Sequence, residues 1–90
     1  MTANVTTTVT VTRSGALVQA WIDGAAVNFN AGNQGSGQAT GAPGHNALTW
    51  VALGAAGTSY TISISAPAAM AFTHTATFDS AMKDAGVHWF

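Results

Sequence analysis

Strict alternation of apolar and hydroxyl side chains is the feature that most constrains the fold of this chain. Residues 5–13 alternate mainly valine with threonine, and residues 60–66 alternate tyrosine, isoleucine and alanine with threonine and serine. A period of two is that of a β-strand with one buried and one solvated face. The predicted inward side chains are Val5, Thr7, Val9, Val11, Tyr60, Ile62, Ile64 and Ala66.

Short connections that contain glycine predict two hairpins. Ser14-Gly15 joins residues 5–13 to residues 16–23, and a two-residue connection is typical of antiparallel pairs. Residues 46–67 form two β-rich runs around a turn that contains Gly54 and Gly57. The first of these runs, residues 48–53, is apolar on both sides except for Thr49, which predicts a central strand with Leu48, Trp50 and Ala52 in the core.

The remaining segments predict further short strands and little helix. Residues 27–29, 70–79 and 87–90 are predicted strands, and residues 80–86 carry a capping serine and a terminal glycine that favour about one helical turn. The glycine-rich residues 30–46 are predicted to be a polar loop that is mobile, binds a ligand directly, or hides an edge strand near residues 38–40.

These segments together predict an all-β chain. With six to seven strands and glycine-rich turns, we expect a small antiparallel β-sandwich or a small barrel, and we favour the sandwich. A length of 90 residues predicts one domain over residues 1–90 with one thin core.

The composition disfavours several functional classes. The chain has no cysteine, two basic and three acidic side chains, and a net charge of −1, so nucleic acid and anionic membranes have no electrostatic footprint to bind. No apolar run is long enough to cross a bilayer, and no signal peptide is visible. Low charge favours a homo-oligomer. The polar residues are those of many extracellular all-β modules, so an extracellular location is favoured on composition.

One strand carries a resemblance to a known family. Residues 57–64, Gly-Thr-Ser-Tyr-Thr-Ile-Ser-Ile, resemble the tyrosine strand of fibronectin type III and related immunoglobulin-like modules, and residues 17–21 resemble their early tryptophan strand. The resemblance implies a sandwich that spaces, binds or adheres without catalysis. It also implies that Trp21 points inward. Alternation predicts the opposite, because Val18, Ala20 and Ile22 form the apolar set of that strand and Gln19 and Asp23 would otherwise need buried partners.

Titratable side chains give little support for catalysis or metal binding. Asp23, Asp79 and Asp84 form no close local pair, and the three histidines lack a metal-binding spacing. His74 shares a predicted face with Phe72 and Phe78, which favours a hydrogen-bonded core histidine. We therefore expect no enzyme activity, no cofactor and no metal.

The exposed aromatic and polar residues are the remaining candidates for a site. An outward Trp21 beside Gln19 and Asp23 combines a flat apolar ring with hydrogen-bonding groups, as glycan sites and protein interfaces do; the alternative is that it covers one end of the core. Trp89 is expected at an edge or half exposed. The candidate ligand-binding residues are Trp21, Gln19, Asp23, Asn33, Gln34, Gln38 and His45.

The function predicted from these features is non-catalytic binding or adhesion, with a glycan or a protein surface as ligand. A structural unit that assembles with its own copies is the alternative, since strand edges and low charge favour association. An ice-binding protein is a further alternative, suggested by the threonine rows over residues 6–12 and 73–77. The β-propensity of threonine explains these rows without such a function.

Overall fold

The described part of the chain folds into eight β-strands. The computed structural model describes residues 5–13 and 15–90, without the side chain of Arg13. The strands are β1 (Val5–Arg13), β2 (Leu17–Ile22), β3 (Ala25–Val27), β4 (Gln34–Ala39), β5 (Ala47–Leu53), β6 (Ser59–Ala66), β7 (Phe72–Thr77) and β8 (Lys83–Trp89), and one turn of 3₁₀ helix spans Ala68–Met70.

The strands form two antiparallel sheets of four. One sheet has the order β4-β1-β6-β7 and the other has the order β3-β2-β5-β8. Side chains from both sheets meet in a single buried cluster, in which Val9, Ile62 and Ile64 of the first sheet join Ile22, Leu48 and Trp50 of the second. The all-β prediction is therefore confirmed, in a sandwich-like arrangement, with eight strands instead of six or seven.

Alternation predicts the inward face of most strands correctly. Thr7, Val9 and Val11 are buried in β1, and Tyr60, Ile62 and Ile64 are buried in β6. Ala66, the last residue of β6, is exposed. The predicted central strand is also confirmed, because β5 lies between β2 and β8 with Leu48, Trp50 and Ala52 in the core.

Both predicted hairpins are wrong. β1 and β2 lie in different sheets, and so do β5 and β6. The chain crosses from sheet to sheet at each connection: Ala16 is buried at the first, and Phe78 packs against the second, where its backbone bonds Gly57 and Thr58. The short connections alone favour a hairpin within one sheet. Burial of these apolar side chains instead favours an arch, a connection that passes from one sheet to the other across the core. Ser14 lies outside the described residues.

The glycine-rich segment contains a full strand, which accounts for part of the difference in strand number. β4 pairs with β1 over six residue pairs, from Val5 with Ala39 to Thr10 with Gln34. Of the alternatives stated for this segment, the edge strand is therefore present, but it spans residues 34–39 instead of lying near residues 38–40. Backbone hydrogen bonds hold it, because it lacks large apolar side chains. Gly35 and Gly37 fit here because an added Cβ would lie 2.6 Å from the Asn28 carbonyl oxygen and 3.0 Å from Ile22 Cδ1, respectively.

The predicted helical turn over residues 80–86 is also wrong. Residues 80 and 81 form a turn, and β8 begins at Lys83 and continues to Trp89. β8 pairs with β5 along its whole length, so tertiary pairing overrides the local helical signal. Among the described residues, no helix is long and apolar enough to cross a membrane.

Gly86 gives a direct test of the packing between β8 and β5. A Cβ at this position would lie 2.3 Å from Cζ2 of the buried Trp50. We expect Gly86→Ala to lower the free energy of unfolding by about 1–3 kcal/mol, because the core must move to admit the methyl group. Chemical denaturation measures this loss.

The matched control is Ala85→Ser, one residue earlier on the exposed side of the same strand. A surface change of this kind should stay within about 0.5 kcal/mol of the wild type. Equal stability of Gly86→Ala and wild type would contradict the placement of Trp50 against β8.

Candidate functional site

The outer faces of the two sheets have different chemistry. Of the six exposed large hydrophobic residues among the described positions, five project from the outer side of the β3-β2-β5-β8 sheet, and the sixth, Met82, lies in the turn before β8. We name this outer surface the apolar face. Its residues are Leu17, Gln19, Trp21, Ala47, Thr49, Val51, Leu53, Ala85, Val87 and Trp89, with Lys83 at one corner beside Leu53.

Strand register makes the apolar face continuous. Leu17 pairs with Leu53, and Val51 pairs with Gln19 on one side and Ala85 on the other. Directly paired side chains in a sheet lie about 4.5–5.5 Å apart at Cβ, so neighbouring rows touch. Val51 is therefore the centre of the face, and its side chain is 41% exposed.

The two outer tryptophans lie on opposite sides of β5. Trp21 pairs with Thr49 and is half-buried, while Trp89 pairs with Ala47 and is 62% exposed. Val18, Ala20 and Ile22 are buried, so Trp21 occupies the outer face that alternation predicts and not the inward position that the family resemblance implies. Gln19 is exposed on the same face, and its Nε2 donates to the Ala20 carbonyl oxygen at 3.4 Å.

The outer face of the other sheet is covered with hydroxyl groups. We name it the hydroxyl face, and it consists of Thr6, Thr8, Thr10, Thr12, Thr61, Ser63, Ser65, Thr73, Thr75 and Thr77. Several of these groups bond one another: Thr61 and Thr75 are 2.9 Å apart at Oγ1, and Thr10 Oγ1 lies 3.1 Å from Ser65 Oγ.

The candidate residues from the glycine-rich segment lie mainly beside the hydroxyl face. Gln34 and Gln38 project from β4, where their Nε2 atoms donate to Thr10 at 3.4 Å and to Thr6 at 3.0 Å. Asn33 precedes β4 with a positive φ of 59°, and its carbonyl oxygen accepts from Val11 N. These three residues are thus on the opposite side of the molecule from Trp21.

Asp23 holds together the loop that lies beside the end of β2. Its Oδ1 accepts from Ala47 N at 2.8 Å and its Oδ2 accepts from Thr40 N at 3.2 Å. His45 is exposed in the same loop, where its backbone N donates to the Ala42 carbonyl oxygen. The structure therefore divides the predicted site residues among the two faces and this loop.

Asn46 is the buried centre of that loop and was not singled out from the sequence. Its Oδ1 accepts from Gly41 N at 2.7 Å, and its Nδ2 donates to the carbonyl oxygens of Gly41, Ala42 and Phe90. Among the described residues every buried side-chain nitrogen and oxygen has a partner. The glycine-rich loop lacks apolar side chains to pack, and the hydrogen bonds of Asn46 hold it in place instead.

A polar chain links the two sheets inside the molecule. Trp50 Nε1 donates to Tyr60 Oη at 2.9 Å, and Tyr60 Oη donates to Asp84 Oδ2 at 2.5 Å. His74 Nε2 lies 3.9 Å from the same carboxylate oxygen, which makes an ion pair when the imidazole is protonated. His74 shares a side of β7 with Phe72 as predicted, but the predicted core position is wrong, because the His74 side chain is 38% exposed at the opening between β7 and β8.

Burial governs the pKa values in this region. Burial, with the hydrogen bond and charge of Asp84, raises the pKa of Tyr60 to about 12, although the hydrogen bond from Trp50 acts in the other direction. Burial lowers the pKa of His88, whose ring stacks on Phe72 with centroids 3.7 Å apart.

Two clefts open at the edges of the sheets. A polar cleft of about 490 Å³ borders Thr8, Asn28 and Gln34, and a more apolar cleft of about 450 Å³ borders Met70, His88 and Phe90. Both are shallow. Within residues 5–13 and 15–90, no three histidine or carboxylate side chains gather in a way that could hold a metal ion.

Comparisons with protein-family models, with curated proteins and with solved structures find no match for this chain.

Sequence reasoning missed most of the apolar face. It identified Trp21 and Gln19, but Leu17, Val51 and Leu53 were not considered as a surface. Residues 48–53 carried the available signal, since an apolar strand in an antiparallel sheet leaves one apolar side uncovered unless another layer packs on it. The wrong helical prediction for residues 80–86 hid the first part of the third strand of the face, although residues 87–90 were predicted to be a strand.

Tyr60 is the single tyrosine of the chain, so its titration can be read directly. We expect the phenolate absorbance of the folded protein to rise with a midpoint at about 12. Asp84→Asn should bring the midpoint closer to 10, because it removes the carboxylate that favours the neutral phenol.

The same shift makes folding stability depend on pH. The folded state holds its tyrosine proton more tightly than the unfolded state, so this stabilisation is complete below pH 10 and falls as the pH rises toward 12. Tyr60→Phe should lack this part of the decline in denaturation experiments. A phenolate midpoint near 10 in the folded wild type would contradict the buried polar chain.

Proposed function

We propose that this domain is a non-catalytic binding module whose apolar face engages a protein surface. The observation that carries the proposal is the concentration of exposed large hydrophobic side chains on one side of one sheet. Scattered exposed hydrophobic residues are ordinary on soluble proteins, but a continuous apolar patch with a polar rim is typical of an interaction site.

The composition of the face supports a protein as ligand more than a glycan. Leu17, Val51 and Leu53 present aliphatic groups, whereas a glycan site needs hydrogen-bonding groups close to its aromatic rings. Gln19 and Thr49 are the polar side chains beside Trp21. An aliphatic patch with tryptophan at its margin is typical of protein interfaces, in which aromatic side chains act as anchors.

The interior polar chain supports a structural role for the titratable groups. Asp84 accepts a hydrogen bond from the hydroxyl of Tyr60, and that hydroxyl accepts a hydrogen bond from Trp50. These two hydrogen bonds join β5, β6 and β8. We therefore propose that Asp84 and His74 stabilise the junction between the sheets and take no part in catalysis.

We further propose that the sandwich is of the immunoglobulin-like or fibronectin type III-like kind. The tyrosine strand over residues 57–64 supports this type, and such modules commonly act by binding. Eight strands in two sheets of four differ from the seven strands of an immunoglobulin constant-type domain, so the type stays a prediction.

Ice binding is not the function we propose for the hydroxyl face. Thr61 bonds Thr75, and Thr10 bonds Ser65, so these hydroxyl groups already have partners on the protein. The high β-propensity of threonine accounts for the rows.

Site-specific photocrosslinking tests the proposed function. A photoreactive amino acid replaces Val51 at the centre of the apolar face, or Ser63 within the hydroxyl face as the matched control. Each variant is used at low concentration in extract of cells that make the protein. We expect a defined protein crosslink from position 51 and none of that species from position 63, because the apolar face provides the buried contact.

A glycan array distinguishes the competing ligand. Binding of wild type to a glycan, lost in Trp21→Ala, together with no protein crosslink at position 51, would overturn the proposal. Trp21→Ala is a suitable variant because its half-buried ring lies outside the core, so we expect it to stay folded; Trp50→Ala should instead lose about 3–5 kcal/mol of stability.

A further inference from the structure

We propose that the apolar face binds the same face of a second copy of this chain, which forms a symmetric dimer. The inference rests on the proposed function, since it names the protein partner of that same face. A two-fold interface uses one patch on both subunits, so the patch must be complementary to itself. A sheet face of leucine, valine and tryptophan side chains without a central charge meets this condition.

The charges around the face favour a second copy. The centre, around Val51, carries no charged side chain, and the whole chain has a net charge of −1, so two copies repel each other weakly. Lys83 pairs with Leu53 at one end of β8, and Asp23 follows β2 at the opposite corner. If the two sheets cross at nearly a right angle, a common packing angle, each Lys83 can lie near Asp23 of the second copy.

The size of the face fits a weak dimer. The face lies on three strands, β2, β5 and β8. Strands about 4.8 Å apart with a rise of about 3.3 Å per residue give it roughly 14 by 20 Å, or about 280 Å² in projection. Because the side chains stand out from that plane, the accessible area is larger than the projected area, and two copies together fall in the class below about 1,200 Å² that weak, transient interfaces occupy. We therefore expect a dissociation constant in the micromolar range.

Face-to-face pairing also gives a closed assembly. It buries Leu17, Val87 and Trp89 against the second copy and leaves the two hydroxyl faces toward water. Since a symmetric dimer of this kind uses the face once on each copy, it does not propagate into a fibre.

Sedimentation equilibrium of the purified chain, from about 1 μM to about 1 mM, tests the inference across the range expected for an interface of this size. Wild type should shift from monomer to dimer. Val51→Lys should raise the dissociation constant by about 100-fold or more, because it places a charge without a partner at the centre of the interface. The matched control Ser63→Lys adds the same charge to the hydroxyl face and should dimerise like wild type, and circular dichroism should show both variants folded.

The outcomes separate this inference from the proposed function. A wild type that is monomeric throughout, or a Ser63→Lys change that disrupts the dimer as strongly as Val51→Lys, overturns the inference. If the chain is monomeric but position 51 still crosslinks a different protein, the proposed function stands without the dimer. If Val51→Lys does not fold, Val51→Gln replaces it, and an unchanged dimer in that variant overturns the inference.

Discussion

One core shared by two sheets is the constraint on which the rest of this structure depends. Every long strand must place alternate side chains between the sheets, and in a chain of 90 residues that core is thin. Trp50, Tyr60 and Ile62 supply much of its volume, and the hydrogen bond from Trp50 to Tyr60 joins the sheets through it. Because a misplaced residue in a core of this size costs a large part of the total stability, the inward positions are under tight steric control.

The outward positions are not under this steric constraint, and the two sheets carry different residue types there. One outer face is made of threonine and serine, whose hydroxyl groups bond one another and backbone carbonyl oxygens. The other is made of leucine, valine and tryptophan, although neither face is needed to close the core. Apolar groups kept in water lower the solubility of a weakly charged chain, and this is the physical reason for proposing a partner that covers the apolar face.

Periodicity predicts the strands of this protein better than it predicts their partners. Residues 5–13 and 60–66 carry strong alternation, and the structure places their inward residues as expected. Partner choice depends on contacts far apart in the sequence: β1 pairs with β4 and β6, neither of which follows it directly. A short turn such as that at Gly15 is compatible both with a hairpin and with an arch between sheets, and burial of Ala16 favours the arch.

The site was predictable only in part for the same reason. Trp21 could be placed on an outer face from its neighbours Val18 and Ile22 alone. The residues around it could not be predicted in this way, because Val87 and Trp89 join the face through the pairing of β8 with β5. Residues 87–90 were predicted to be a strand, but its partner was not predictable, and the first part of β8 has a local sequence that favours a helical turn. Gln34 and Gln38 were predicted as ligand contacts, but β4 places them at the opposite face. Strand order, and not residue type, decides which side chains share a surface.

The three tryptophans allow the most direct test of this account. Hydroxyl-radical footprinting of the dilute protein, read by mass spectrometry, reports the exposure of each indole separately. The structure predicts strong oxidation of Trp89, weaker oxidation of Trp21 and protection of Trp50, with Trp89 becoming protected as the concentration rises. Oxidation of Trp50 as fast as that of Trp89, or protection of Trp89 at every dilution, would contradict the assignment of the apolar face as an exposed binding surface.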